Sequence, residues 1–534
     1  MRRLRILLVL VVAAGFPALA QTNTPEVRKL TLEDCIAIAV QHNFDVQIRR
    51  FDPEVARFTL ESHYGAYDPN FSISASHDYS QSPGGIDPQG RPFGGTETED
   101  DSFSTSLSGL LPWGTAYSLG AGIFDTYGTR PTLAQGPVVG FTTNVVFDNF
   151  GNPNGFLLDP VFGTIAVRQP FENVTANVSA LQLRQPLLKN FWIDSTRLQI
   201  YVDKRQIKIS EQDLRSQLMT TITAVENAYF NLIAAQESVR VQQKALELAE
   251  RLLAENKKRV EVGALAPLDE RQAESQAAKS RADLINAEGT QDSQQRALKK
   301  LLSDNYEDWG KVHIQPGEAL VALPERFNLQ ESWRTGLRQR PELVQQRLRL
   351  EQQSYRIRFE RNQLFPQVDV FGTGGYRASG TSYGDALDQI GGRDNPFYSV
   401  GGQLTIPLSR RTARNDYRSA KATREQMELT LKQLEQNALI EIEDAIALAN
   451  TDFQQVGARR EATRFAQEAL EAEQKKLESG KSTSFIVLQL QSNLTQARSD
   501  EIRALADYNI ALANAAQSEG ATLERRNVKL EIKP

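Results

Sequence analysis

The groups in this chain that could do chemistry are four histidines, one cysteine and a scatter of paired acids. A metal centre needs ligands at short fixed spacings. His42, His63, His77 and His313 form no such spacing with Cys35 or with one another. His42 and His63 fall on what reads as an exposed helix face. Glu441 with Glu443, and Asp500 with Glu501, lie in long charged segments and read as solvated faces. Gly372-Thr-Gly374-Gly375 lies inside an alternating segment and opens no helix, so it is not a nucleotide loop. No nucleophile motif and no cofactor site stands out. The residues read as a protein that is not an enzyme and carries no metal or other cofactor.

Function must then come from larger elements. The chain has 534 residues, 40% of them hydrophobic, enough to bury a core. Arg2, Arg3 and Arg5, the apolar run Ile6 to Ala14, and Ala18-Leu19-Ala20 predict a signal peptide over 1–20. Its removal takes three cations and lowers the net charge from −5 to −8, which argues against nucleic acid as a partner. Beyond it no apolar run is long enough for a membrane-spanning helix. Any membrane contact must be made by strands or by the surface. Cys35 has no partner cysteine and lies too far from Ala20 for lipid attachment at the processing site. It reads as a buried thiol in an amphipathic helix.

The sequence repeats itself. Residues 32–73 align without gaps to 329–370, matching Leu32 with Leu329, Arg50 with Arg347 and Pro69 with Pro366. Residues 225–287 align to 442–504 with 15 identities in 63 positions, among them Glu226/Glu443, Gly263/Gly480 and Gln272/Gln489. About 80 extra residues between 80 and 190 account for the change of offset.

Residues 191–258 hold no proline and no glycine, and neither do 408–456. Both are rich in good helix formers. Leu214, Leu218, Thr221, Val225, Ala228, Leu232, Ala235, Val239, Gln242, Leu246, Ala249 and Leu253 follow a 4, 3 spacing without a slip, a heptad seam. Leu431, Glu435, Ala438, Ile442, Ala445, Ala449, Asp452 and Val456 form a more polar second copy. Each long helix ends at a matched break, Gly263 to Pro267 and Gly480 to Phe485, and a return helix follows. Between the helices the period changes to two, in runs of about ten residues: 70–79, 103–111, 174–183, 367–376 and 398–406. Stretches 80–101, 125–170 and 379–397, rich in Gly, Pro, Asp and Asn, read as external loops. Phe and Tyr gather near the strand ends, as in interfacial girdles. About four long strands cannot close a barrel, so a membrane reading requires several chains.

The order helix, strand pair, proline, long helix, glycine tip and return helix, made twice, resembles the TolC-like outer-membrane efflux family. Gln185-Pro186-Leu187-Leu188 and Ile406-Pro407-Leu408 carry the likeness at the strand-to-helix switches, with Arg340-Pro341-Glu342-Leu343 and the two glycine tips. The resemblance covers residues 30–520. It implies an α+β membrane protein: a homotrimer whose twelve-stranded barrel, four strands per chain, continues into a coiled-coil helical tunnel across the periplasm. The first repeat would span 21–320, with helix 31–66, strands and loops 67–190, long helix 191–262, return helix 267–303 and equatorial linker 304–320. The second would span 321–534, with helix 327–365, strands 366–407, long helix 408–479, return helix 484–519 and equatorial tail 520–534.

The resemblance also implies partners: outer-membrane lipid, a periplasmic adaptor (membrane fusion) protein, and an inner-membrane pump of the RND or ABC type. The adaptor would meet the tips at Arg259, Gly263, Ala264, Leu265, Lys476, Gly480 and Lys481. Glycine there leaves room for an approaching helical hairpin, and a basic residue can pair with a carboxylate. Some family members narrow the tunnel mouth with two aspartates after the second tip. Here those positions are Ile486 and Gln489, and Asp269 in the first copy is the acid that remains. The added runs 102–111 and 115–124, joined by Leu111-Pro-Trp-Gly114, read either as an external hairpin or as lengthened strands. The function so implied is an exit duct of a tripartite efflux or type I secretion system. The alternative is a surface-associated structural coiled-coil protein with a soluble β-domain.

Overall fold

The computed structural model describes residues 26–86, 90, 92–147, 153–263 and 265–528. The expected leader and the last residues of the expected tail lie outside them. No described helix is long and apolar enough to cross a membrane.

The first half runs β1 (Glu26–Leu30), α1 (Leu32–His42), α2 (Phe44–Tyr64), β2 (Asn70–Ser82), the short β3 (Gly85–Ile86) and β4 (Pro92–Phe93), β5 (Thr96–Leu110), β6 (Ala116–Phe147) and β7 (Pro153–Pro186). There follow α3 (Ser195–Glu261), α4 (Pro267–Leu302), α5 (Tyr306–Gly310) and β8 (Val312–Pro316). The second half runs α6 (Leu329–Gln339), α7 (Pro341–Gln363), β9 (Gln367–Gly380), α8 (Tyr383–Gly392), β10 (Pro396–Thr405), α9 (Arg411–Glu478), α10 (Ser484–Ser518) and α11 (Thr522–Arg525).

Two single helices expected over 31–66 and 327–365 are each broken, at Asn43 and at Arg340, positions that the repeat superposes. Pro341 forces the second break, because proline disfavours helical backbone in the residue before it. At the first, the Asn43 side chain accepts from the backbone N–H groups of Asp45 and Val46 and so caps a new helix. The same asparagine donates to the Leu301 carbonyl at 3.1 Å, tying the break to α4.

The fold divides into two compact units, and the division cuts α2, α3, α7 and α9. The first unit holds residues up to 52, 211–344 and 432 onward. Its core forms along the predicted heptad seam. Leu214, Leu218, Val225 and Leu232 are buried, and Ile222 and Tyr229 widen the stripe. Burying each such side chain contributes about 1.5–3 kcal/mol. Cys35 is fully buried in the same core, and burial pushes its thiol up to about 12. The expected equatorial linker contains α5 and β8. β8 pairs in parallel with β1, Glu26 opposite Val312 through Leu30 opposite Pro316. The Tyr229 hydroxyl locks the end of this pair, donating to the Leu30 carbonyl and accepting from the Gly317 N–H.

The second unit holds residues 53–210 and 345–431. Its centre is one antiparallel sheet in the order β10-β9-β7-β6-β5-β2. The four strands per chain expected from the sequence are all in it. The two added runs join the same sheet as β5 and β6, which makes it six-stranded among the described residues. The expected loop 125–170 is also largely strand, since β6 and β7 pair on to Phe147 and Pro153. Beyond Thr129, β7 is the one partner of β6 among the described residues. Such an edge stretch tolerates proline, and Pro131 lies in it, opposite Arg168. The expected loop 379–397 contains α8. It lays Ala386 and Ile390 over Ile123, Val174, Ala176 and Ala378.

Candidate functional site

Alternation gives the sheet two chemically distinct faces. One carries Phe71, Ile73, Phe103, Leu119, Ile123 and Val178, and continues through Leu183 to Val400 and Leu404. Away from α8 this face is open: Phe71 is 62% exposed and Val400 78%. The other face carries hydroxyls and amides. One row crosses all six strands as Asn70, Ser108, Ser118, Gln182, Thr373 and Ser399. Along β2 and β5 the serines hydrogen-bond in pairs, Ser72 to Ser106, Ser74 to Ser104 and Ser76 to Ser102, at 2.7–2.8 Å. Such a sheet can put hydrocarbon on one side and water on the other.

The switches at Pro186 and Pro407 turn strand into long helix. Pro186 ends β7 opposite Asp369, and Leu187 donates to the Val368 carbonyl as the ladder's last bond. Asn190 then takes a left-handed backbone at φ 64°. Asn362 holds this corner, accepting from the Asn190 N–H and donating to the Leu188 carbonyl. Arg197 donates to the carbonyls of Asn190 and Phe191 while paired with Asp194. These contacts delay α3 to Ser195, later than the expected start at 191. Pro407 stands one residue past the end of β10, after Ile406, and Arg410, at φ 42°, donates to the Leu364 carbonyl before α9 begins.

At the first tip Arg259 is half-buried in the last turn of α3, Gly263 is exposed, and Leu265 is half-buried before α4. Ala264 lies outside the described residues. At the second tip Lys476, Gly480 and Lys481 are all exposed. Gly263 and Gly480 stand at φ 75° and 73°, and a Cβ added to either would meet nothing within 4 Å. Within the chain, then, backbone conformation and not crowding demands glycine. Lys481 N donates to the Lys476 carbonyl at 2.8 Å, closing the helix end.

Asp269 and Ile486 hold the same place in the two repeats, the third residue of α4 and of α10. Asp269 is half-buried and Ile486 exposed. Gln489, one turn on, donates to the Asn493 side chain.

The residues that bring the two tips together escaped the sequence reading. Leu252 and Ala273 of the first hairpin pack with Leu470, Val487 and Leu488 of the second. Asn256, 1% exposed, accepts from the Ser484 hydroxyl at 3.1 Å and donates to the Asp269 carbonyl at 3.4 Å. Its counterpart in the repeat is Glu473, which accepts from Ser482 and pairs with Lys476 at 2.9 Å. The Ser482 hydroxyl first, and Lys476 second, hold the Glu473 carboxyl below the usual range. The signal was present: a polar residue seven positions before each tip glycine, where the heptad returns to its own face.

A sheet with one apolar and one hydroxyl-lined face, in a chain with helices of 67 and 68 residues, has the parts of an outer-membrane channel protein. The outer membrane efflux protein family profile matches residues 167–303 and 334–521. The chain belongs to the outer membrane efflux protein family. Its fold is similar to that of the CmeC outer membrane channel of Campylobacter jejuni, at 15% identity and TM-score 0.62, with 98% of each chain covered. It is similar also to VceC of Vibrio cholerae, at 16% and 0.61, covering 92% of this chain and 96% of that one. The MtrE channel of Neisseria gonorrhoeae gives 16% and 0.59 over 92% and 89%. No curated protein matches the sequence.

Proposed function

We propose that this protein is the exit duct of a tripartite efflux or type I secretion assembly. Three copies close one barrel in the outer membrane, and the paired helices continue it into the periplasm. The duct is passive and is gated at its helical tips by a periplasmic adaptor, which joins it to an inner-membrane pump. One observation carries this reading: the sheet exposes an apolar face while its outer strands, β2 and β10, each lack a partner on one side among the described residues. Lipid cannot satisfy open strand edges, so copies of the chain must close them.

The tips suit a protein partner. Val262, Leu268 and Phe485 are exposed at 79%, 66% and 55%, beside the cationic Lys476 and Lys481. An adaptor hairpin with apolar and acidic residues complements that surface. Asp269, Ile486 and Gln489 occupy the first turns after the tips, where a mouth would narrow.

The test is purification from outer membranes. The protein is expected to run as a detergent-stable trimer and to conduct ions across a planar bilayer. A monomer that stays soluble without detergent would defeat the reading.

A further inference from the structure

The added hairpin β5–β6 does not sit outside the sheet as an ornament. It separates β2 from β7, which would otherwise be neighbours: β2 pairs with β5 throughout, and β7 pairs with β6. It is also flush with the rest. At the end where the helices join, Asn70 faces Ser108, Leu110 faces Ala116, Ala116 faces Arg184, Pro186 faces Asp369 and Gln367 faces Thr405. Every strand therefore reaches the same rim.

The turn between the added strands is built into that rim. Leu111 N–H donates to the Thr115 carbonyl and Gly114 N–H to the Leu111 carbonyl, both at 2.8 Å. Gly114 stands at φ 91°, and a Cβ there would come within 3.0 Å of Arg197 and 3.4 Å of the Asn190 carbonyl. Thr115 hydrogen-bonds the Gln185 side chain. The hairpin also obeys the two-face rule: Phe103, Leu119 and Ile123 join the apolar face, and Ser104, Ser106 and Ser118 the hydroxyl face.

We infer that the hairpin is part of the channel wall, so that each subunit supplies six strands and three subunits close an eighteen-stranded barrel. The figure of eighteen rests on the trimer proposed above; the six per subunit does not. Barrel width grows with strand number. At a spacing of about 4.8 Å and a tilt of about 40°, the backbone radius rises from about 12 Å for twelve strands to about 18 Å for eighteen. From the helix end outward the added third of the lining is Ser108, Ser106, Ser104 and Ser102 beside Ser118, Gly120 and Gly122, small and uncharged, with Phe124 and Asp100 only beyond them. The barrel section of this duct therefore admits bulkier polar cargo than a twelve-stranded one.

The experiment uses the full chain in lipid nanodiscs. Strands per subunit are counted by electron cryo-microscopy, and chains per particle by native mass. Six strands per subunit is the expected result. Four per subunit, with 96–147 outside the wall, overturns the inference. A chain number other than three overturns the trimer and with it the eighteen, while the count per subunit still decides the hairpin's place. Cysteines placed by Ser104→Cys and Thr105→Cys, each with Cys35→Ser, give a second reading. A water-borne thiol reagent is expected to label the Ser104 site at least tenfold faster, because Thr105 faces lipid. Equal labelling of the two overturns the inference.

Discussion

Glu226 shows how one charged residue is tolerated buried beside a heptad seam. It is 2% exposed, and burial raises its carboxyl above the usual range against the pull of Arg526. The guanidinium pairs with it directly from the chain's C-terminal segment. Arg526→Ala leaves the buried carboxylate without its direct partner, and a loss of about 2–3 kcal/mol is expected, below the usual range of about 3–5 because Arg526 is partly exposed and Arg525 still attracts the charge. The sign with pH follows. A carboxyl whose folded pKa lies above its unfolded one loses stability as pH rises between the two values. The variant raises that folded pKa further. Its deficit should be larger at neutral pH than in acid, where Glu226 takes up a proton; melting curves at neutral and acid pH check this. The pair was invisible in the sequence because its members lie 300 positions apart. The burial of Cys35 was legible, because the run around it has one apolar face.

At the scale of elements, the tips separate two kinds of constraint. Gly480→Ala strains one backbone position, with an expected cost of about 1 kcal/mol and no lost contact. Asn256→Ala breaks a buried link between both hairpins and leaves the Ser484 hydroxyl without that partner, at about 1–3 kcal/mol. In the proposed duct Asn256→Ala should raise resting conductance more than Gly480→Ala does, measured in planar bilayers. The reverse order would remove Asn256 from the gate. The long helices and their breaks could be read from sequence because proline and glycine punctuate a period that runs for many turns. The interruption at Asn43 could not, since asparagine breaks a helix there through its cap to Val46 and its tie to Leu301. The far ends of β6 and β7 were hidden for another reason. Glycine and proline are turn signals by composition, yet bulges at Gln135–Gly140 absorb them.

At the scale of the molecule, membrane strands carry a weak signal each, and their number is set by pairing and not by composition. Sequence alternation placed the strands at 70–79, 174–183, 367–376 and 398–406, but pairing alone decides whether a fifth and sixth run belong beside them. The parallel pair β1–β8 is likewise a property of the whole chain. A chain ending before Val312 lacks β8, and α1 loses the strand closed beneath it. Limited proteolysis should then cut near Leu30, a site protected in the full protein. Protection in the truncated chain would show that β1 has no structural need of β8.

The same pairing fixes a timetable. The segment that emerges first must wait for a partner more than half the chain away, and closing so large a loop is slow. Until then β1 shows an unclaimed backbone edge beside the apolar face of α1. The hazard of that interval is an early edge that can pair with the same edge of another nascent copy.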